Sequence, residues 1–313
     1  MRYIGNKTKL LTFINDIIIE YTKNADINKF YDLFSGTGSV SNNMKATYNI
    51  VSNDLLKSSY FINLGLLNNK PDLPDNIFDI LNNQECEGFI YNNYSEMGSE
   101  RLYFSQENGK KIDGIKKYLY EQYNSNNLTS QQFYYLMYCF IYSIHKVSNT
   151  TGVYGAFLKK LQNISKNTII IEDLPINSTD KTIEVYNTDC IELLDLINEN
   201  DIIYMDPPYN SRQYSDAYHL LENLSEWNKP ELFGVAISTT STVRNMSRLS
   251  DYGFLDMVDN PHGKSHKYTW IKLTQSGRKL QKLFIGSSSD WKDKPKLAID
   301  RAVKSAMSGG IYD

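Results

Sequence analysis

The sequence predicts an α/β fold: a mostly parallel sheet flanked by helices and interrupted by a long helical stretch. Three observations carry this. Phe30-Tyr-Asp-Leu-Phe34 is a compact apolar run that ends in Ser35-Gly-Thr-Gly38, a tight turn of small residues, before a helix starting at Ser39. Ile50-Val-Ser-Asn-Asp54 is a second apolar run, closed by a carboxylate. Asp201-Ile-Ile-Tyr-Met205 is a third, entered from polar Asn198-Glu-Asn200 and stopped by Pro207 and Pro208, which lack the N–H that a ladder needs. In open α/β sheets, ligands bind outside the carboxyl ends of such strands.

Composition sets the outer bounds. A chain of 313 residues can bury a real core and has room for one large domain or two smaller ones. The 41% hydrophobic and 22% charged shares are those of a globular soluble protein. No apolar run reaches the roughly 18–20 residues of a membrane span, and Asn6, Lys7 and Lys9 break up any signal-peptide core. Cys86, Cys139 and Cys190 lie far apart, so neither a disulfide framework nor a paired-cysteine metal site is expected, and a reducing cytosol is. His262 and His266 alone approach a ligand spacing, and they read as loop residues. A net charge of −3 excludes a nonspecific nucleic-acid coat, but not an enzyme with one basic face.

Taken in order, Tyr3-Ile-Gly-Asn-Lys7 sets a glycine between an aromatic and a lysine, and a helix is expected over residues 10–21. Ser35-Gly-Thr-Gly38 lacks both the Lys-Ser/Thr of a phosphate loop and the third glycine of a dinucleotide fingerprint. It therefore reads as a turn that lets backbone approach a small ligand closely. Asp54, sixteen residues after Gly38, occupies the strand-end position whose carboxylate bonds ribose hydroxyls in such units. The strand–helix alternation lapses from about 58 to 174, with a polar loop at 68–76 and a helix over 131–145. Another strand is expected at 182–186 and a helical segment at 191–197. Asp189 either caps that helix or faces a ligand.

The run Asp206-Pro-Pro-Tyr209 carries the chemistry. Adenine N6 is a poor nucleophile because its lone pair is delocalised into the ring. Acceptors for its hydrogens, such as the Asp206 carboxylate and the Pro207 carbonyl held by a fixed φ, draw it toward tetrahedral geometry. Tyr209 offers a ring on which an extruded base can stack. A helix over 217–227 follows, and Arg212 between the two either meets a DNA phosphate or is a solvated surface residue.

Together Asp32-Leu-Phe-Ser-Gly-Thr-Gly38 and Asp206-Pro-Pro-Tyr-Asn-Ser-Arg-Gln-Tyr214 resemble the Dam-type DNA adenine N6-methyltransferases, in the restriction–modification branch that includes the FokI methylase. Arg101-Leu-Tyr-Phe-Ser-Gln-Glu-Asn-Gly-Lys-Lys-Ile-Asp113 and the segment from Ser148 to Lys160 resemble further blocks of that branch. The resemblance implies a Rossmann-like S-adenosylmethionine-dependent methyltransferase sheet with an inserted, mainly helical recognition domain. The catalytic domain is expected at 1–60 and 165–236 and the target-recognition region at 61–164. It implies that Tyr3, Lys7, Asp32, Phe34, Gly36, Gly38, Asp54, Asp189 and Asp206 hold the cofactor. It further implies that Asp206, Pro207, Pro208 and Tyr209 act on a flipped adenine. No metal is expected, since a sulfonium is already an activated donor.

Residues 237–313 leave the family pattern. The stretch from Ile237 to Gly253 reads as a helix, 254–258 and 268–273 as a two-stranded wing, and Thr274 to Leu280 as the start of a last helix. That succession is either a winged helix, with Arg244, Arg248, Lys264, Lys267 and Lys272 meeting DNA, or the terminal strands of the methyltransferase sheet. The expected activity is site-specific DNA adenine N6-methylation in the cytoplasm, with double-stranded DNA as partner. A cognate restriction endonuclease would be encoded alongside, without a stable complex. The alternatives are methylation of cytosine N4 or a glutamine amide, and a catalytically incomplete DNA-binding regulator.

Overall fold

A computed structural model describes residues 3–23, 25–97, 101–207 and 214–226, together with three strands at 255–258, 270–273 and 281–284. The chain opens with helix α1 (Leu11–Thr22), then strand β1 (Lys29–Asp32), helix α2 (Ser39–Met44), strand β2 (Asn49–Asn53) and helix α3 (Lys57–Leu67). Four more helices follow: α4 (Ile77–Asn82), α5 (Phe89–Tyr94), α6 (Gln106–Asn124) and α7 (Ser130–Val147). Strand β3 (Ile183–Tyr186), a 3-10 helix (Cys190–Leu196), strand β4 (Ile202–Met205) and helix α8 (Tyr214–Glu226) complete the continuous part. Strands β5 (Leu255–Val258), β6 (Trp270–Leu273) and β7 (Gln281–Phe284) come last.

The sheet runs β3-β2-β1-β4-β7, and every pairing in it is parallel. From β1 the chain moves outward to β2 and β3, then returns to β4 on the other side of β1. The strand order therefore reverses between β1 and β4, which is where an open α/β sheet forms its crevice. Register sets Asp32 beside Tyr204 at that point.

Both faces of the sheet are covered, as parallel strands require. Phe30, Ile50, Ile202 and Tyr204 face one way and pack on Ile14, Ile17 and Ile18 of α1 and on Val40 and Met44 of α2. Tyr31, Val51, Ile203 and Met205 face the other way and meet Cys190 and Leu193. The period-2 alternation of the strands thus splits them cleanly between two cores. A third and larger core joins α3 through α7 to α8: Phe61, Phe133, Leu136 and Phe140 share it with Tyr218, Leu220, Leu221 and Leu224. Helix α7 begins at a capping box, in which Thr129 accepts from the Gln132 N–H and the Gln132 side chain accepts from the Thr129 N–H.

The strand–helix alternation lapses as expected, with α3 through α7 in succession between β2 and β3. Two expectations change. Residues 191–197 were expected to be helical, and Cys190–Leu196 forms a 3-10 helix, tighter than α, that starts one residue earlier. The last helix expected from Thr274 cannot run past Leu280, because β7 lies there as the parallel neighbour of β4, with Gln281 opposite Ile202 and Phe284 opposite Met205. Strands β5 and β6 pair antiparallel, Leu255 opposite Leu273, where the two-stranded wing was expected. The helix expected at 237–253 lies outside the described residues. No described helix is long and apolar enough to cross a membrane.

Candidate active site

At the switch point the turn after β1 is built by hydrogen bonds from three sides. The Ser35 N–H and Oγ–H both donate to the Asn53 carbonyl (2.9 and 3.0 Å), tying the turn to the end of β2. The Gly36 N–H donates to Asp54 Oδ2 at 2.8 Å, and the Gly36 carbonyl accepts from Asn63 Nδ2 at 3.0 Å. Gly36 and Gly38 both have positive φ, 52° and 71°, conformations that cost a side-chain-bearing residue about 1–2 kcal/mol. Space is as restrictive as dihedral angle. A Cβ on Gly36 would sit 3.0 Å from Cε1 of Tyr3, and one on Gly38 would sit 2.4 Å from Asn63 Oδ1.

Asn63 is fully buried on α3 and saturated, donating also to the Ser59 carbonyl (2.8 Å) and bonded to Ser52 Oγ (3.1 Å). Asp54 accepts the Leu56 N–H through its second oxygen at 2.9 Å. Its carboxylate therefore fixes the turn while standing in the cleft. Burial raises its pKa to about 6 against the opposing pull of those backbone donors.

Asp32 and Asp206 end the adjacent strands. Asp32 is 1% exposed; one oxygen accepts from Ser41 Oγ at 2.7 Å, and the other has no hydrogen-bond partner. Burial, and then the charges of Asp206 and Asp54, raise its pKa to about 7, with the Ser41 hydrogen bond opposing. Asp206 has a side chain 12% exposed and pairs through Oδ2 with Lys7, while its buried Oδ1 has no partner. Its pKa is raised by burial, and Lys7 pulls the other way. Tyr204 lies between them with its hydroxyl also buried and unpartnered, and its ionisation is opposed by burial and by both carboxylates. Buried polar atoms without partners are uncommon in folded proteins, and the three residues that carry these line one cleft.

Lys7 reaches Asp206 from a short arm. Its ammonium also donates to the Gly5 carbonyl at 3.0 Å, and the Asn6 N–H closes a turn onto the Tyr3 carbonyl at 3.2 Å. The Tyr3 ring stacks on Tyr218 of α8, with centroids 4.3 Å apart and planes 10° apart. The Ile4 N–H donates to Tyr218 Oη at 2.7 Å.

One cleft gathers most of the residues singled out from the sequence. Tyr3, Lys7, Asp32, Phe34, Gly36 and Asp54 line it, and so do Asp206 and Pro207. Gly38 stands behind the lining, against Asn63. Asp189 accepts from the Ile191 N–H at 3.1 Å as the cap of the 3-10 helix, while its neighbours Thr188 and Cys190 line the cleft. Pro208, Tyr209 and Arg212 lie outside the described residues. Asn63, Tyr204, Tyr218 and Glu222 did not emerge from the sequence. The one available signal was polar Asn63 in the middle of the apolar run Tyr60-Phe-Ile-Asn-Leu64.

The family model of the D12 class N6 adenine-specific DNA methyltransferases matches residues 3–253. The type II methyltransferase M.FokI of Planomicrobium okeanokoites is 36% identical over 248 residues, covering 75% of this chain and 38% of that protein. The modification methylase StsI of Streptococcus sanguinis is 38% identical over 248 residues with the same coverage. The type II methyltransferase M.NlaIII of Neisseria lactamica is 35% identical over 232 residues, covering 72% of this chain and 69% of its own length. The chain thus spans about two fifths of the length of the first two relatives.

Proposed function

The chain belongs to the D12 class N6 adenine-specific DNA methyltransferase family, and from that premise we propose that it transfers methyl from S-adenosylmethionine to N6 of an adenine extruded from double-stranded DNA. The observation that carries this reading is the free, buried Oδ1 of Asp206 at the mouth of the cleft.

The residues present fit the cofactor. Gly36 and Asp54 line the cleft beside Tyr3, where the glycine leaves backbone open to close approach and the carboxylate suits a ribose. Asp32 and Tyr204 supply polar atoms that only a ligand or solvent can satisfy. When bound, S-adenosylmethionine supplies a methyl group on a positively charged sulfur, an electrophile needing no further activation.

The rest falls to the protein. Asp206 Oδ1 accepts one N6 hydrogen and the Pro207 carbonyl the other, which localises the lone pair and stabilises the charge developing on N6. Lys7, bonded to the other oxygen, keeps the Asp206 carboxyl nearer its charged, accepting form than burial alone would. Pro208 stiffens the turn and Tyr209 stacks on the base, on the strength of the motif. In a host the activity would protect DNA from a cognate endonuclease, which acts on the same site and needs no stable complex with this chain.

Incubation of the purified chain with duplex DNA and S-adenosylmethionine, followed by nucleoside analysis, tests the proposal. N6-methyldeoxyadenosine is the expected product, and Asp206→Ala should lower its formation by about 10²–10⁴-fold. A product of N4-methyldeoxycytidine, or undiminished turnover in the variant, would overturn it.

A further inference from the structure

We propose that Tyr218 is a positioning residue for the cofactor arm, residues 3–7, setting the arm in place from the helix that follows the catalytic motif. The inference rests on the function proposed above, and its observations are independent of the Asp206 geometry.

The arm has little structure of its own. Among the described residues it forms a turn and neither helix nor strand, and Gly5 within it has φ 76°. Its contacts with the rest of the protein include Asn6 Nδ2 donating to Thr37 Oγ1 (3.4 Å) and the pairing of Tyr3 Oη with Ser59 Oγ (3.1 Å). Tyr218 adds two of a different kind: a near-parallel stack under Tyr3 and the acceptor for the Ile4 N–H. Tyr218 is 1% exposed and belongs to the same core as α3, α6 and α7, so it offers the arm a rigid seat.

That seat is connected. Helix α8 begins at Tyr214, a few residues beyond Pro207, so it follows directly on the catalytic motif in sequence. The neighbouring Ala217 carbonyl accepts from the Tyr154 N–H at 2.7 Å, which joins the 148–160 loop to the same turn of helix. One turn further, Glu222 accepts from the Lys57 N–H (2.8 Å), the Ser58 N–H (2.9 Å) and Ser58 Oγ (2.6 Å), capping the amino end of α3. Helix α3 in turn carries Asn63, which holds the glycine turn. The arm, the 148–160 loop and, through α3, the glycine turn thus converge on two turns of α8.

The test is a split in kinetic constants. A stack and a neutral hydrogen bond each change affinity by about two- to tenfold. Tyr218→Leu should therefore raise KM for S-adenosylmethionine about tenfold or more. Because bound cofactor re-seats the arm, kcat at saturating cofactor should stay within about threefold, and KM for DNA within about twofold. Tyr218→Phe, which keeps the ring and loses the hydroxyl, should raise KM for the cofactor by about two- to tenfold. Calorimetric titration with S-adenosylmethionine alone gives the same comparison without turnover. Were the wild-type chain to bind cofactor yet methylate nothing, the proposed function would fail, and this titration would still support or sink the role of Tyr218. Unchanged cofactor affinity in Tyr218→Leu, or equal losses in every constant for the folded Phe variant, would overturn the inference.

Discussion

Lys7, in the short arm ahead of α1, closes an ion pair onto Asp206 at the end of β4, leaving the other oxygen of that carboxylate buried and unpartnered. The lysine thus takes half of the acid and leaves half for a ligand. In a dry site an unpaired carboxylate is driven toward its neutral form, and the neutral form is the weaker acceptor.

Lys7→Met removes the charge that pulls the Asp206 pKa down against burial. The acid limb of the pH–rate profile should move to higher pH, so that kcat/KM falls about 10–100-fold near pH 7 and partly recovers as pH rises. A profile superimposable on that of the wild type would remove Lys7 from the mechanism.

Asp32→Asn should stabilise the ligand-free chain above neutrality. The folded pKa of Asp32, about 7, lies above the unfolded value of about 3.9. Its contribution is therefore fully present below about pH 4 and lost as pH rises through 7. Denaturant midpoints should show the variant gaining on the wild type between pH 5 and 8, by on the order of 2–4 kcal/mol at the upper end. A constant difference across that range would show that Asp32 titrates normally.

Gly38→Ala and Gly36→Ala should separate two functions of one turn. Alanine at 38 drives into Asn63, which cannot yield without releasing the Gly36 carbonyl and Ser52, so about 2–4 kcal/mol of stability should be lost. Alanine at 36 meets the Tyr3 ring, which can swing aside, so the fold should survive while cofactor affinity drops. Thermal unfolding and calorimetry on the two variants give the comparison.

Glu222→Ala takes the cap from α3 and strands the two N–H groups at its start. A loss of about 1–3 kcal/mol is expected, read as a lower unfolding temperature. A change of less than about 0.3 kcal/mol would mean that solvent replaces the carboxylate freely.

Much of the fold was legible because the strands of a covered parallel sheet announce themselves. The runs at 30–34, 50–54 and 201–205 are apolar and end in glycine, aspartate or proline; β4 lies within its run, and β1 and β2 each start one residue before theirs. The site was legible for the same reason, since the polar residues that stop those strands are the ones the crevice collects. What stayed hidden depends on long-range partners. Tyr218 looks like any core tyrosine until Ile4 donates to it, and Glu222 like a surface acid until Lys57 and Ser58 turn their N–H groups toward it. The 3-10 geometry of Cys190–Leu196 was equally invisible, because its apolar spacing suits either helix. At β7, Gln281-Lys-Leu-Phe284 continues a helix-like pattern, and only the open edge of β4 makes a strand of it.

The helical stretch leaves the sheet after β2 and comes back as β3, hydrogen-bonded to β2 itself, Ile50 opposite Ile183. Its two ends are therefore neighbours, so the stretch could be exchanged between relatives without moving the strands that flank it. The junctions alone would not suffice. Lys116 and Tyr120 of α6 donate to the Asn223 and Ser225 carbonyls and finish the last turn of α8, so a workable chimera must import the donor's version of that helix too.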